Sequence, residues 1–159
     1  VNRAKRELER LKRVAQSEGL WDLTEGGADA QRFRDQIALL EVDVVALEML
    51  VLRVLSAEKS GKNPLEIAGL LKIKGSEIQQ RYTELMMLAA GPYALPFIHE
   101  AMAAGWQGDQ AATAGLQGFP GGNVDNAPLA ASYFNMRKTT IYGGSNEVQR
   151  NIVAQTVLG

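Results

Sequence analysis

The clearest hydrophobic pattern in the chain lies between residues 31 and 59. Phe33, Ile37, Leu40, Val44, Leu47, Val51 and Val54 recur at spacings of 4, 3, 4, 3, 4 and 3, the period that puts side chains on one face of an α-helix. Leu39, Val45, Leu50, Leu52 and Leu55 are apolar as well. The helix is therefore covered on more than one side and is expected to lie centrally or at a subunit interface. Ahead of it, Leu8, Leu11, Val14 and Ala15 form a narrower stripe, and Arg3, Lys5, Arg6, Glu7, Glu9, Arg10, Lys12 and Arg13 fill the remaining positions. This predicts a first helix ended by Gly19, with its charged side read as a solvated face in preference to a phosphate-binding patch. Residues 20 to 30 contain Gly26-Gly27 and no sustained period. They read as a loop whose Trp21 and Leu23 tuck into the core.

After Gly61, Asn63-Pro64-Leu65-Glu66 supplies an N-cap, a proline at the first helical position and a capping acid, the signature of a new helix start. Ile67, Leu71, Ile78, Tyr82, Leu85 and Leu88 mark its apolar face as far as the stop at Gly91-Pro92. Two long helices joined by a short turn form an antiparallel hairpin, the unit of an up-and-down bundle. From Pro92 to Pro128 the texture changes to a long glycine-rich loop, with a short helix expected over residues 94 to 104. Pro128 opens a further helix through Ala131, Tyr133, Phe134 and Met136 that ends near Thr140, and a final helix follows Gly143-Gly144. No alternating strand pattern occurs. The fold class predicted is all-α, an up-and-down four-helix bundle forming a single domain over residues 1 to 159.

Composition narrows the chemistry. A chain of 159 residues with 46% hydrophobic and 22% charged residues fits one globular domain. No apolar run approaches the roughly 20 residues of a membrane helix, so no membrane span is expected. A net charge of -1 argues against nucleic acid as the main partner. With no cysteine and a single histidine, His99, disulfides, thiolate zinc sites, multi-histidine metal sites and a Ser-His-Asp triad drop out, and His99 receives no role. The chain opens without methionine and already in a helical pattern, which suggests a piece of a longer protein. The cytoplasm is the default location where no export signal is seen.

Candidate chemistry concentrates at the end. Gly143 and Gly144 allow a tight turn with close backbone approach, and Ser145 or Asn146 can cap the last helix. The N–H groups and dipole at such a helix start form a natural site for a phosphate or other anion. Local chemistry alone favours the plainer reading, a capped helix after a glycine turn.

The longer string Ile141-Tyr142-Gly143-Gly144-Ser145-Asn146-Glu147-Val148-Gln149-Arg150-Asn151-Ile152 resembles the C-terminal signature of the acyl-CoA dehydrogenase family. The resemblance implies the all-helical C-terminal domain of a three-domain flavoenzyme, in which a helical domain and a β-domain come first. It further implies FAD-dependent α,β-dehydrogenation of an acyl-CoA thioester to the trans-2-enoyl-CoA, a reaction of fatty acid metabolism. A carboxylate removes the α-proton, the β-hydrogen leaves as hydride to the flavin, and an electron-transfer flavoprotein takes the electrons. Relatives are usually dimers of dimers built on this domain.

Carried over by position, the resemblance makes Gly144, Ser145 and Glu147 FAD-contacting residues, with Ser145 in place of the commoner threonine. It places Gln36 near the flavin of an adjoining subunit. Two family features are missing: the Arg-x-x-Phe-Gly motif around residues 13 to 21, and the Gln-x-x-Gly-Gly pattern, which here reads Met86-Met87-Leu88-Ala89-Ala90. Many relatives carry the catalytic glutamate where this chain has Gly143. Others take it from the preceding helix, at a point that helix spacing puts about ten residues before Val1. Glu7 and Glu9 read as charged-face residues, so no catalytic residue is assigned within the chain. The alternative is a non-catalytic scaffold subunit of a heteromeric acyl-CoA dehydrogenase complex.

Overall fold

A computed structural model describes residues 1–20, 23–61, 65–95, 97 and 129–158. These residues form five α-helices: α1 (Asn2–Ser17), α2 (Leu23–Lys59), α3 (Leu65–Ala90), α4 (Leu129–Met136) and α5 (Asn146–Leu158). Short 3-10 turns cover Gly91–Ala94 and Arg137–Thr140, and no strand occurs among the described residues. The all-α expectation holds: each of the five helices falls where a helix is predicted, and the four of the bundle's name is an approximate count.

Three ion pairs and one hydrogen bond give the helix directions. Lys5 pairs with Glu48 and Lys12 with Glu41, so numbers fall on α2 as they rise on α1. Lys74 with Asp43, and Arg81 with Gln36, show the same antiparallel relation between α2 and α3. Gly69 lies against Val153 while Ser76 reaches Asn146, so α5 also runs antiparallel to α3. Helix α3 is thus the centre of the domain, with α1, α2, α4 and α5 packed around it.

The core follows the predicted seam. Phe33, Ile37, Leu40, Val44 and Leu47 are buried against Leu8, Leu11 and Ala15 of α1 and Ile78, Tyr82, Leu85 and Met86 of α3. Leu39, Val42, Val45, Met49 and Leu52, on the other side of α2, are each roughly half exposed or more. This leaves an apolar stripe that no described helix covers.

Two expectations need correction. Leu88 is not on the core face; it is 55% exposed, and Met86 and Ala89 are buried instead, because the helical period carries the inward face past Leu88. The segment 23 to 30, expected as loop, is helical on both sides of a break at Gly27, whose φ of 56° and ψ of -144° only glycine adopts readily. Trp21, Asn63, Pro64, His99 and most of the helix expected over 94 to 104 lie outside the described residues, as does the side chain of Leu23.

Candidate functional site at the glycine turn

The helix α4 tightens into the 3-10 turn Arg137–Thr140, and Ile141 and Tyr142 both donate backbone N–H bonds to the Lys138 carbonyl, at 2.9 and 3.2 Å. The chain then reverses through Gly143 and Gly144, with φ values of 68° and 82° that an L side chain would strain. A Cβ on Gly144 would also lie 2.7 Å from Nε2 of Gln149. Both glycines are exposed, so their peptide edges are open to a ligand next to the start of α5.

Ser145 is the cap. Its Oγ accepts the N–H of Val148 at 3.4 Å, the N-cap to N3 geometry, and its carbonyl accepts the N–H of Gln149 at 2.9 Å. Glu147 stands in the first turn of α5. Its own backbone N–H and the Ser145 hydroxyl donate to its carboxylate, which holds the group below the usual carboxylate range. That lowering suits a fixed negative charge and opposes a role as general base.

Beneath the turn lies a polar stripe that the sequence reading passed over. Lys72, Ser76, Gln80 and Thr83 follow one another at helical spacing along α3. Lys72 Nζ donates to the Thr140 carbonyl at 3.1 Å and to Asn146 Oδ1 at 2.6 Å. Asn146 is buried, and its Nδ2 donates to Ser76 Oγ at 3.1 Å, which in turn donates to the Ile73 carbonyl at 2.8 Å. Gln80 Nε2 donates to the Arg137 carbonyl at 3.0 Å, and Arg137 Nη2 returns a bond of 2.9 Å to the Gln80 carbonyl. The Arg137 guanidinium also lies 4.3 Å from the centroid of the Tyr133 ring. The stripe had a signal in the sequence, four polar residues at helical spacing beside the apolar face, but its partners at Arg137, Thr140 and Asn146 meet it only in the fold.

The four candidate cofactor residues separate into two groups. Gly144, Ser145 and Glu147 come together at the turn. Gln36 sits on α2, where its Oε1 accepts a 3.0 Å bond from Arg81 Nη2, and the described hydrogen bonds do not link it to the turn. Because arginine only donates, this contact fixes Gln36 with its Nε2 donors facing away from Arg81.

Away from the turn, a concavity of about 640 Å³ opens between α1, α3 and α4. Arg3, Arg6, Arg10 and Arg13 line it with Tyr82 and Ser132. The charged side of α1, expected as a solvated face, is thus also one wall of a cavity. Glu7 lies in the same wall and is engaged by Arg3 at 2.8 Å. Burial pushes the Tyr82 phenol up, with Arg10 opposing. No group of three or more Asp, Glu or His among the described residues is arranged to hold a metal, and none of the described helices is long and apolar enough to cross a membrane.

The sequence profile of the acyl-CoA dehydrogenase C-terminal domain matches residues 3–158. The chain belongs to the acyl-CoA dehydrogenase family. A protein of Mycolicibacterium smegmatis named acyl-CoA dehydrogenase IpdE1 is 47% identical over 47 residues, a match covering 28% of this chain and 12% of that relative. No solved structure matches the chain. The all-α architecture agrees with what this family's C-terminal domain is expected to form.

Family membership calls for a test of whether the residues at the turn suit a flavin. Two exposed residues without side chains, a capped helix start and a hydroxyl offer backbone donors and close approach to an anionic or heteroaromatic edge. They fit that part of the task. The base is another matter: Gly143 has no side chain, and Glu147, the acid at the turn, is made a weaker base by its own backbone N–H and the Ser145 hydroxyl.

Proposed function

We propose that this chain is the C-terminal domain of an FAD-dependent acyl-CoA dehydrogenase that converts an acyl-CoA thioester to the trans-2-enoyl-CoA. The observation that carries the reading is the Gly143-Gly144-Ser145 turn, held open at the surface against the N-terminus of α5 in a chain of this family. In this reading Gly144 and Ser145 approach the cofactor through backbone and hydroxyl, and Glu147 contributes charge at the helix start. FAD supplies the hydride acceptor. The α-proton goes to a carboxylate from outside this domain, since Gly143 cannot take it.

The partners follow from the same reading. An electron-transfer flavoprotein reoxidises the flavin, and the apolar stripe on α2 meets another subunit in a dimer or tetramer. Gln36, on α2, then serves a neighbouring subunit's flavin. The enzyme works in the cytoplasm.

A second reading has its own support. Gly143 at the base position, together with the missing Arg-x-x-Phe-Gly motif, suits a scaffold subunit whose mate supplies base and flavin contacts. Turnover of the full-length protein separates the two. Incubated alone with acyl-CoA thioesters and an artificial electron acceptor, a dehydrogenase yields the 2-enoyl-CoA, two mass units lighter than its substrate. A scaffold subunit yields none until its mate is added.

A further inference from the structure

Within its own segment the turn is held by long side-chain bonds, Gln149 Nε2 to the Gly143 carbonyl and the Val148 N–H to Ser145 Oγ, both 3.4 Å, and its shorter side-chain contacts come from α3. Between Thr140 and Asn146 the backbone crosses two residues in left-handed conformations, and the turn is connected to α3 at both ends by one side chain. Lys72 Nζ reaches the carbonyl of Thr140, where the chain enters the turn, and Oδ1 of Asn146, where it leaves into α5. An ammonium has three donors and no acceptor, so it sets Oδ1 of the Asn146 amide toward Lys72; Ser76 Oγ lies 3.1 Å from Nδ2 and 3.2 Å from Oδ1. The single Ser76 hydroxyl proton is within reach of the Ile73 carbonyl at 2.8 Å and of that Oδ1 at 3.2 Å, the Ile73 bond being the shorter. The chain of bonds runs unbroken from Lys72 through Asn146 and Ser76 to the Ile73 carbonyl, and Asn146 and Ser76 are buried.

Position decides what this network is for. Asn146 is the first residue of α5, directly after the capping Ser145, so the contact that locks Asn146 also sets where the cap and the exposed Gly143-Gly144 peptide edges stand. Lys72 is half-buried and is shared between two acceptors instead of being matched to a carboxylate. A lysine used only for stability could be replaced there by an apolar contact with less desolvation. A lysine that must hold two ends of a turn at one separation could not.

We infer that Lys72 is a positioning residue for the cofactor turn: its ammonium clamps Thr140 to Asn146 and thereby fixes the Gly143–Ser145 backbone in the geometry that meets the flavin. This rests on the flavin reading proposed above, and it assigns Lys72 no contact with the cofactor itself. A hydrogen bond from a charged donor commonly carries enough free energy for about a tenfold change in an equilibrium.

The test uses the full-length protein and two readouts. In Lys72→Met, amide hydrogen exchange over residues 141 to 149 should accelerate about tenfold, and the dissociation constant for FAD should rise by a similar factor, with helical content unchanged. Asn146→Ala, which removes the acceptor at the α5 end, should show the same acceleration and the same loss of affinity. Should Lys72→Met fail to fold, Lys72→Gln, which keeps a donor for one acceptor, is read the same way. Unchanged exchange in the Lys72 variant overturns the clamp. Faster exchange with unchanged FAD affinity overturns the positioning role. If the wild-type protein takes up no FAD at all, the flavin reading fails, and the positioning role fails with it. The exchange data then still decide whether Lys72 holds the turn.

Discussion

A Cβ placed on Gly69 would lie 2.9 Å from Cγ2 of Val153, so α3 and α5 meet at a point where one helix has no side chain. That close approach lets Lys72 and Ser76, one and two turns further along α3, reach Asn146. Gly69→Leu would overpack the crossing and should lower stability by about 1–3 kcal/mol. Gly75 is a helical glycine of the same element with nothing within 4 Å of its Cβ position, and Gly75→Ala should raise stability by about 0.4–1 kcal/mol. Thermal unfolding of the two variants checks the contrast. Equal midpoints would mean that α3 and α5 do not cross at Gly69.

The cap and the turn should fail separately. Ser145→Ala removes the acceptor for the Val148 N–H and should cost about 0.5–2 kcal/mol. Gly144→Ala should cost about 1–3 kcal/mol, because the left-handed backbone is strained for alanine and the new methyl meets Gln149. Chemical denaturation measures both. A stable Gly144→Ala protein would show that the turn has another conformation.

Glu147 gives the domain a pH dependence of known sign. Its carboxyl is lowered by its own backbone N–H first and by the Ser145 hydroxyl second. A group with a lowered folded-state pKa contributes stability that is complete above its unfolded value and is lost as pH falls through the folded one. Stability should therefore decline on acidification from the ordinary glutamate range toward that lower value. Glu147→Gln should flatten this part of the profile in denaturation midpoints taken at successive pH values. An identical slope in the variant would remove Glu147 from the balance.

Leu11 and Leu88 show how far apolar spacing can be trusted. Both belong to helical patterns in the sequence, yet Leu11 is fully buried and Leu88 is 55% exposed. Leu11→Ala should cost about 2–5 kcal/mol, and Leu88→Ala should stay within about 0.5 kcal/mol. The seam of α2 was legible because seven residues keep a strict 4 and 3 alternation with little competition. The end of α3 was harder to read: Met86, Met87, Leu88, Ala89 and Ala90 are all apolar, so periodicity cannot choose a face. The turn at Gly143-Gly144 and its serine cap were legible from local chemistry, whereas Lys72 and Ser76 were not. Their partner Asn146 lies 74 and 70 residues away in sequence, and only the packing of α5 on α3 brings them together.

The exposed stripe on α2 carries the assembly part of the proposal. Val45→Glu places a charge amid Leu39, Val42, Met49 and Leu52 without touching the buried seam. Sedimentation should report a smaller particle for this variant, with unchanged helical content by circular dichroism. A particle of wild-type mass would place the subunit interface elsewhere.

The most direct measurement is the visible absorption of the full-length protein, purified and mixed without oxygen with a panel of acyl-CoA thioesters. A flavin band that bleaches with one class of thioester is the predicted result, and it names the substrate class at the same time. A folded protein that carries no flavin, and takes none up when FAD is supplied, would contradict the dehydrogenase reading and leave the scaffold subunit in its place.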